Sequence, residues 1–390
     1  MTGILGALVI LLILLVLAVW LLIERQYQGR PGNRLELESG KWTITTREPQ
    51  HYVIEGEPAL VNLTRTLEIM VPEISVEAEL LSGTGLDGIT VTTQLVSNHG
   101  DAPARPDNYW FAYIVKTAQA TGLKVKVDIQ GPDLSKLKAL WVKIYYLTYG
   151  PEGRIPKMGN VVVPLKYPDP NAPQNWRTTP KAEVLPIPTH LLGPLDSPID
   201  TVKRYVEPYA KPGDIVTIGE TPVAIMQGRW RHPSSIQPGW VAKRICYFFM
   251  PTSSLATACG LQTLVDLVGP VRVVYAFVVG AIAKKFFGRP GMFYELAGDQ
   301  ARLIDDVTGT LPPYDQFIVL GPQNPAQIVQ DIYDATGLKA AIVDVNDLKA
   351  VKILAATPGT DVDLITTALL DNPAGNADEQ TPVVLIHPKA

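Results

Sequence analysis

Cysteine and histidine are scarce in this chain of 390 residues, and neither falls in a pattern that chemistry uses. The two cysteines, Cys246 and Cys259, are apolar-flanked and stand outside any CxxC pair, which removes zinc-ribbon and thioredoxin-like redox sites. Two buried thiols in a reducing compartment is the favoured reading, and a disulfide between them stays open. The five histidines, His51, His99, His190, His232 and His387, occur singly and never four apart, so no zinc-binding helix is encoded. His190, in the proline-rich approach to the second half, reads as a surface residue, with a position reaching a pocket as the alternative. No Walker A loop, GxGxxG turn or GxSxG elbow occurs, which leaves nucleotide and serine-hydrolase chemistry without a local signature. Basic charge is not in excess either: Lys and Arg total 34 against 38 Asp and Glu, a net −4. Nucleic-acid binding lacks its electrostatic footprint.

What the chain does have is one long apolar run. Ile4 to Ile23 carries no charge, and at about 1.5 Å per residue a helix of this length spans the roughly 30 Å core of a bilayer. Nothing basic precedes it and it closes on Trp20, Leu21 and Leu22, which favours an uncleaved anchor over a signal peptide. Arg25, Arg30 and Arg34 follow at once, so the positive-inside rule predicts a single-pass protein of the cell membrane with its C-terminal body in the cytoplasm. Trp20 and Tyr27 fall near the headgroups. A second apolar stretch, Val271 to Phe287, is broken by Arg272 and ends in Lys284 and Lys285. Its uncharged part is short, and it reads as domain core, with a helix that touches the membrane as the alternative.

After the anchor and juxtamembrane segment (1–30), residues 31–166 read as a β-rich, sandwich-like domain. Strands are predicted over Trp42–Thr46, Ser75–Leu81, Ile89–Val96, Lys124–Gln130, Leu140–Tyr149 and Val161–Leu165, with one helix over Pro106–Thr121. The run 167–183 is proline-rich and reads as a linker. Residues 184–390 alternate strand and helix patterns, the mark of an α/β or α+β domain. Strands are predicted at Asp214–Ile218, Val223–Met226, Gln316–Leu320 and Ala340–Val345. Helices are predicted at Leu261–Val268, Val271–Phe287 and Pro325–Thr336, the last capped by Asn324. The strand–helix–strand unit around that helix delivers Asp344, Asn346 and Asp347 to a strand tip, where α/β sheets commonly bind ligands.

Three groups of residues carry a resemblance. They are Leu185-Pro-Ile-Pro-Thr189 with Pro212-Gly-Asp-Ile-Val216 and Gln227-Gly-Arg229; Phe293-Tyr-Glu-Leu-Ala-Gly-Asp299 with Ile304-Asp-Asp306; and Val319-Leu-Gly-Pro322 running through Ala341-Ile-Val-Asp344 to Asp347. From about Val184 to His387 the chain resembles the coenzyme F420-0 gamma-glutamyl ligase family, which uses GTP and a divalent metal. The resemblance implies phosphorylation of a substrate carboxylate and attack on the acyl phosphate by the amine of glutamate. It also implies Mg²⁺ or Mn²⁺ held by carboxylates. The implied metal positions fall at Asp299 or Asp305 and at Asp344 or Asp347, without a choice inside either pair. Arg229 and Arg289 are the candidate cations for a nucleotide. Two family lysines stand here as Thr221 and Ile225, and a Thr-Phe-Gly-Arg segment is replaced by Leu348-Lys-Ala-Val351. Lost cations weaken triphosphate binding directly.

Each feature also has a plainer reading: Asp344, Asn346 and Asp347 as a solvated turn, Asp299, Asp305 and Asp306 as surface charges, and Asp371–Glu379 as an acidic turn without EF-hand spacing. The sequence thus supports two functions. One is a membrane-anchored, GTP- or ATP-dependent ligase joining a small carboxylate to glutamate or another amine. The other is a non-catalytic ligase-like module that binds or scaffolds a membrane complex, with the β-rich domain offering a protein-binding surface.

Overall fold

The computed structural model of the chain describes residues 2–28, 34–150, 153–251, 253–306, 311–345, 349–375 and 379–389. It opens with helix α1 (Thr2–Gln28). Within it Gly6–Gln26 has a mean hydropathy of 3.3 and no buried residue, long and apolar enough to cross a membrane or to serve as a signal sequence.

Nine strands come next: β1 (Leu35–Glu48), β2 (His51–Asn62), β3 (Ile69–Val71), β4 (Ile74–Ser82), β5 (Thr90–Asn98), β6 (Tyr113–Val115), β7 (Ala120–Gln130), β8 (Leu137–Gly150) and β9 (Gly153–Pro164). They form sheets in the orders β1-β2-β7-β5, β3-β6 and β4-β8-β9. Alternation sets the register. In β7 Thr121, Leu123, Val125, Val127 and Ile129 are buried while the residues between them are not, so slipping by one would expose the whole set. Strand β2 has no counterpart among the predicted strands. Its Glu55-Gly-Glu-Pro58 interruption hides the alternation, and Gly56 is small because the Trp42 ring lies over it in the partner strand.

The helix predicted over Pro106–Thr121 is absent; that segment holds β6 and the start of β7. Asn108 and Ala118 have φ of 55° and 53°, which no helix accommodates. Its aromatic residues serve tertiary contacts instead: Trp110 donates to the Val71 carbonyl at 3.0 Å, and Tyr113 stacks on His99 at 3.7 Å.

The later elements are β10 (Arg177–Thr178), β11 (Ala182–Ile187), α2 (Pro198–Tyr205), β12 (Ile215–Gly219), α3 (Glu220–Met226), β13 (Trp230–Arg231), α4 (Trp240–Ile245), α5 (Ala258–Val268), α6 (Pro270–Phe287), α7 (Met292–Ala297), α8 (Gln300–Leu303), β14 (Asp305–Asp306), β15 (Ile318–Val319), α9 (Pro325–Thr336), β16 (Lys339–Val345), β17 (Val351–Ala356), α10 (Val362–Leu369) and β18 (Val383–Pro388). Six strands make one sheet, in the order β10-β11-β18-β12-β16-β17, in which only β12 and β16 run parallel. Both faces are buried. Ile342, Ile218 and Leu385 face α2 and α9, while Val343, Ile215 and Ile386 face α10. A third cluster joins α4 to α8 in the insertion between β12 and β16.

Three sequence expectations change here. Val223–Met226 is helix α3, because its apolar residues bury against the sheet's helical side rather than pair in it. β15 and β16 belong to different sheets, so the parallel partner of β16 is β12, a longer crossover than the predicted unit. Asn324 has φ 51° and makes no side-chain cap.

By contacts the chain forms two compact units, neither a single stretch: Met1–Ala78, Thr90–Gly131 and Lys143–Asn160 make the first, and Glu79–Ile89, Pro132–Val142 and Val161–Ala390 the second. The proline-rich run is fastened to the second unit. Its Tyr167 ring lies 4.9 Å from that of His190 with Arg204 above it at 5.5 Å, and Trp176 packs against the core. Both cysteines are free thiols.

Replacing Gly56 with alanine would put a methyl 2.5 Å from the Trp42 ring, which its Nε1 bond to the Ser39 carbonyl holds in place. Gly56→Ala should destabilise the first unit by about 1–3 kcal/mol, an overpacking cost. A urea titration monitored by indole fluorescence reads this as a lower midpoint.

Candidate functional site

β12 and β16 lie side by side and end together, and a cavity of about 380 Å³ opens beyond their ends. Gly219 closes β12 and Glu220 begins α3, so the carboxyl group is carried straight off the strand tip. Asp344 stands near the end of β16, with Lys352 opposite it on β17. Asp305, in β14, comes from the insertion. Apolar walls come from Leu311, Phe317, Val319 and Leu369, and polar ones from Thr189, Thr217, Thr221, Gln380 and Thr381. Sites of this size, largely apolar with a few convergent polar groups, are where small molecules bind.

The three carboxylates set the electrostatics. Burial, and then the charges of Asp344 and Asp305, push the Glu220 carboxyl up from 4.5 to about 8, with Lys352 opposing. Its Oε2 is buried without a hydrogen-bond partner among the described residues. Glu220 is therefore a neutral acid at pH 7, able to donate a proton into the cavity. No Lys or Arg lines the cavity among the described residues.

One wall is braced by His190, which is buried and lines the cavity, the alternative to the surface position favoured from sequence. Its Nδ1 meets the Tyr205 hydroxyl at 2.5 Å and its Nε2 meets Asp196 Oδ1 at 2.9 Å, while Asp196 Oδ2 accepts from the Gly193 amide. Both ring nitrogens are satisfied, which is what lets an imidazole be buried. The Tyr314 hydroxyl donates to the Leu192 carbonyl and closes the same wall.

The residues singled out from sequence scatter. Asp305 and Asp344 share the cavity. Asp299 begins α8 and does not line it. Asp347 lies outside the described residues, as does Asn346. Arg229 is committed elsewhere, donating through Nε to the Gly321 carbonyl at 2.7 Å and through Nη2 to Gln300 at 3.1 Å. Arg289 follows α6 in the helical insertion, exposed and off the cavity. Among the described residues no three His, Cys, Asp or Glu side chains converge on a metal position. Thr221 and Ile225, the positions where the resemblance implies lysines, both line the cavity on α3. Neither side chain carries a charge. Glu220 escaped the sequence reading: its place just past the strand Asp214–Ile218 is visible in the sequence, but the burial that makes it matter is supplied by the fold.

Comparison with known proteins adds a family at the other end of the chain. Residues 36–167 match the model of the F420-0:gamma-glutamyl ligase N-terminal Ig-like domain, whereas the sequence resemblance was placed at Val184–His387. No curated protein matches the chain. Solved structures with some likeness are the GAE domain of yeast GGA1 (13% identity, 34% of this chain and 93% of that one, TM-score 0.20) and the CupB6 tip adhesin of Pseudomonas aeruginosa (10%, 37% and 57%, TM-score 0.23). The GAE domain of GGA2p from Saccharomyces cerevisiae is a third (11%, 32% and 98%, TM-score 0.18). The β-rich region is therefore Ig-like, and the chain has a gamma-glutamyl-ligase-like relationship through that region.

Proposed function

We propose that the chain is a membrane-anchored, ligase-like binding module whose cavity takes a small molecule bearing an amine. The observation that carries this reading is the composition of the cavity: three carboxylates and, among its described lining residues, no cation. A triphosphate brings several negative charges and needs Lys, Arg or bridging metal to bind. An ammonium group finds the opposite here, with Asp344 and Asp305 to offset its charge and threonine hydroxyls to accept its protons. α1 would hold the module at the bilayer, with the arginines that follow it placing the body in the cytoplasm.

Retained catalysis is the second reading, a GTP- or ATP-dependent amide ligase with Mg²⁺ or Mn²⁺. The convergence of Asp305 and Asp344 and the Ig-like match favour it. Calorimetric titration of the full chain in nanodiscs separates the two. Putrescine should bind, and Asp344→Asn should weaken it at least about tenfold, equivalent to about 1.4 kcal/mol. GTP with Mn²⁺ should give no heat. Mn²⁺-dependent GTP binding that Asp344→Asn abolishes would establish the ligase reading instead. An ammonium group near Glu220 favours its ionised form, so putrescine binding at pH 7 should release a proton, and its affinity should rise from pH 6 to 8. Buffers of different ionisation enthalpy measure that release.

Glu220 also links stability to pH. Its folded-state value, about 8, lies above the unfolded value of 4.5, so the folded state holds the extra proton between those limits. Stability contributed by the neutral form is full below about pH 4.5 and is lost as pH rises towards 8, at up to about 1.4 kcal/mol per pH unit. Glu220→Gln should flatten this slope, gaining on the wild type at pH 9 relative to pH 5. Urea unfolding at the two pH values is the check, and parallel curves for the two proteins would contradict it.

A further inference from the structure

The insertion between β12 and β16 carries an apolar surface that stays exposed among the described residues. α6 buries Val273, Ala276, Gly280 and Ala283 on one side, against the third core cluster. Its opposite side is a stripe of Val271, Tyr275, Val278, Ile282 and Phe286, each between 46% and 83% exposed. From Val273 to Ala283 the helix has no charge. A helix on the surface of a soluble body turns polar residues outward, and this one turns the reverse. The surface continues beside it, where the Phe248 ring meets Phe277 at 5.1 Å and Tyr247, Phe248 and Met250 are all more than 70% exposed.

Cations border the stripe. Lys284 and Lys285 lie in the last turn of α6, Arg289 just beyond it, and Lys243 and Arg244 in the last turn of α4. No carboxylate lies on α6. Apolar and aromatic residues next to a cluster of lysine and arginine match the layers of an anionic bilayer surface, acyl chains beneath phosphates. α5 and α6 meet at 112°, and the inner side of α6 is committed to the protein core. The helix is thereby positioned to lie along an interface rather than to cross it.

We propose that this face of the helical insertion seats on an anionic lipid surface, the outward stripe of α6 entering the interface and Lys284, Lys285 and Arg289 meeting lipid phosphates. A bilayer held close by α1 raises the local concentration of that surface, so the inference rests on the anchor reading for its context. Its geometry comes from α6 alone.

Spin labelling of the full chain tests it. With Cys259→Ser and Cys246 buried, a nitroxide at Val278→Cys is compared with one at Asp334→Cys, on the exposed side of α9, in vesicles of phosphatidylcholine and phosphatidylglycerol in equal parts. The Val278 label should collide with oxygen several-fold more than with a water-soluble nickel chelate, and the Asp334 label should do the reverse. In the Lys284→Glu, Lys285→Glu, Arg289→Glu variant, shown folded by circular dichroism, the shielding at 278 should be lost. A water-exposed label at 278 overturns the proposal. Shielding that survives charge reversal overturns the anionic-lipid assignment. Dipolar broadening that disappears on dilution with unlabelled protein would assign the face to a second copy of the chain. Co-flotation with vesicles reports the α1 tether separately, so failure of the anchor and failure of this face are told apart.

Discussion

Burial of the six-stranded sheet on both faces is the constraint on which the rest of the second unit depends. With α2 and α9 on one side and α10 on the other, alternate residues of β11, β12, β16 and β18 point into separate cores. The cavity's Glu220 and Asp344 stand at or just past the strand ends, where α/β sheets commonly bind ligands. Because β12 and β16 are parallel neighbours, their carboxyl ends coincide and bring Glu220 and Asp344 into one cavity. The long insertion between them both closes that cavity, through Asp305, Tyr314 and Phe317, and carries the exposed face of α6.

Among the described lining residues no cation offsets the cavity's carboxylates. Thr221 and Ile225 of α3 are both uncharged, and the carboxylates repel one another. Repulsion and burial together keep a proton on Glu220.

Periodicity made much of the architecture legible. α1, the strands of the Ig-like region with regular alternation, β12, β16 and the helices α5, α6 and α9 all stand within a few residues of the sequence reading. Where it failed, tertiary contacts overrode local pattern. Tyr109, Tyr113 and Ala120 suggested a helical face, but Tyr113 stacks on His99 and the neighbouring Trp110 donates to the Val71 carbonyl, and Val223–Met226 has strand-like composition but packs as a helix. His190 was unreadable as a buried group because its partners, Tyr205 and Asp196, are supplied by the fold. Of the cavity's carboxylates, Asp344 and Asp305 were visible from sequence, whereas Glu220 derives its importance from an environment that composition does not encode. Family likeness, too, was clearest where it was not sought, in residues 36–167.

A crystal of the full chain grown with Mn²⁺ and GTP, measured at a wavelength where manganese scatters anomalously, tests the central claim about the cavity. A binding module for an amine should show no manganese peak among Glu220, Asp305 and Asp344 and no triphosphate density there. A peak about 2.1 Å from the oxygens of Asp305 and Asp344, with phosphates bridging to it, would contradict the account and make the cavity a nucleotide-dependent active site.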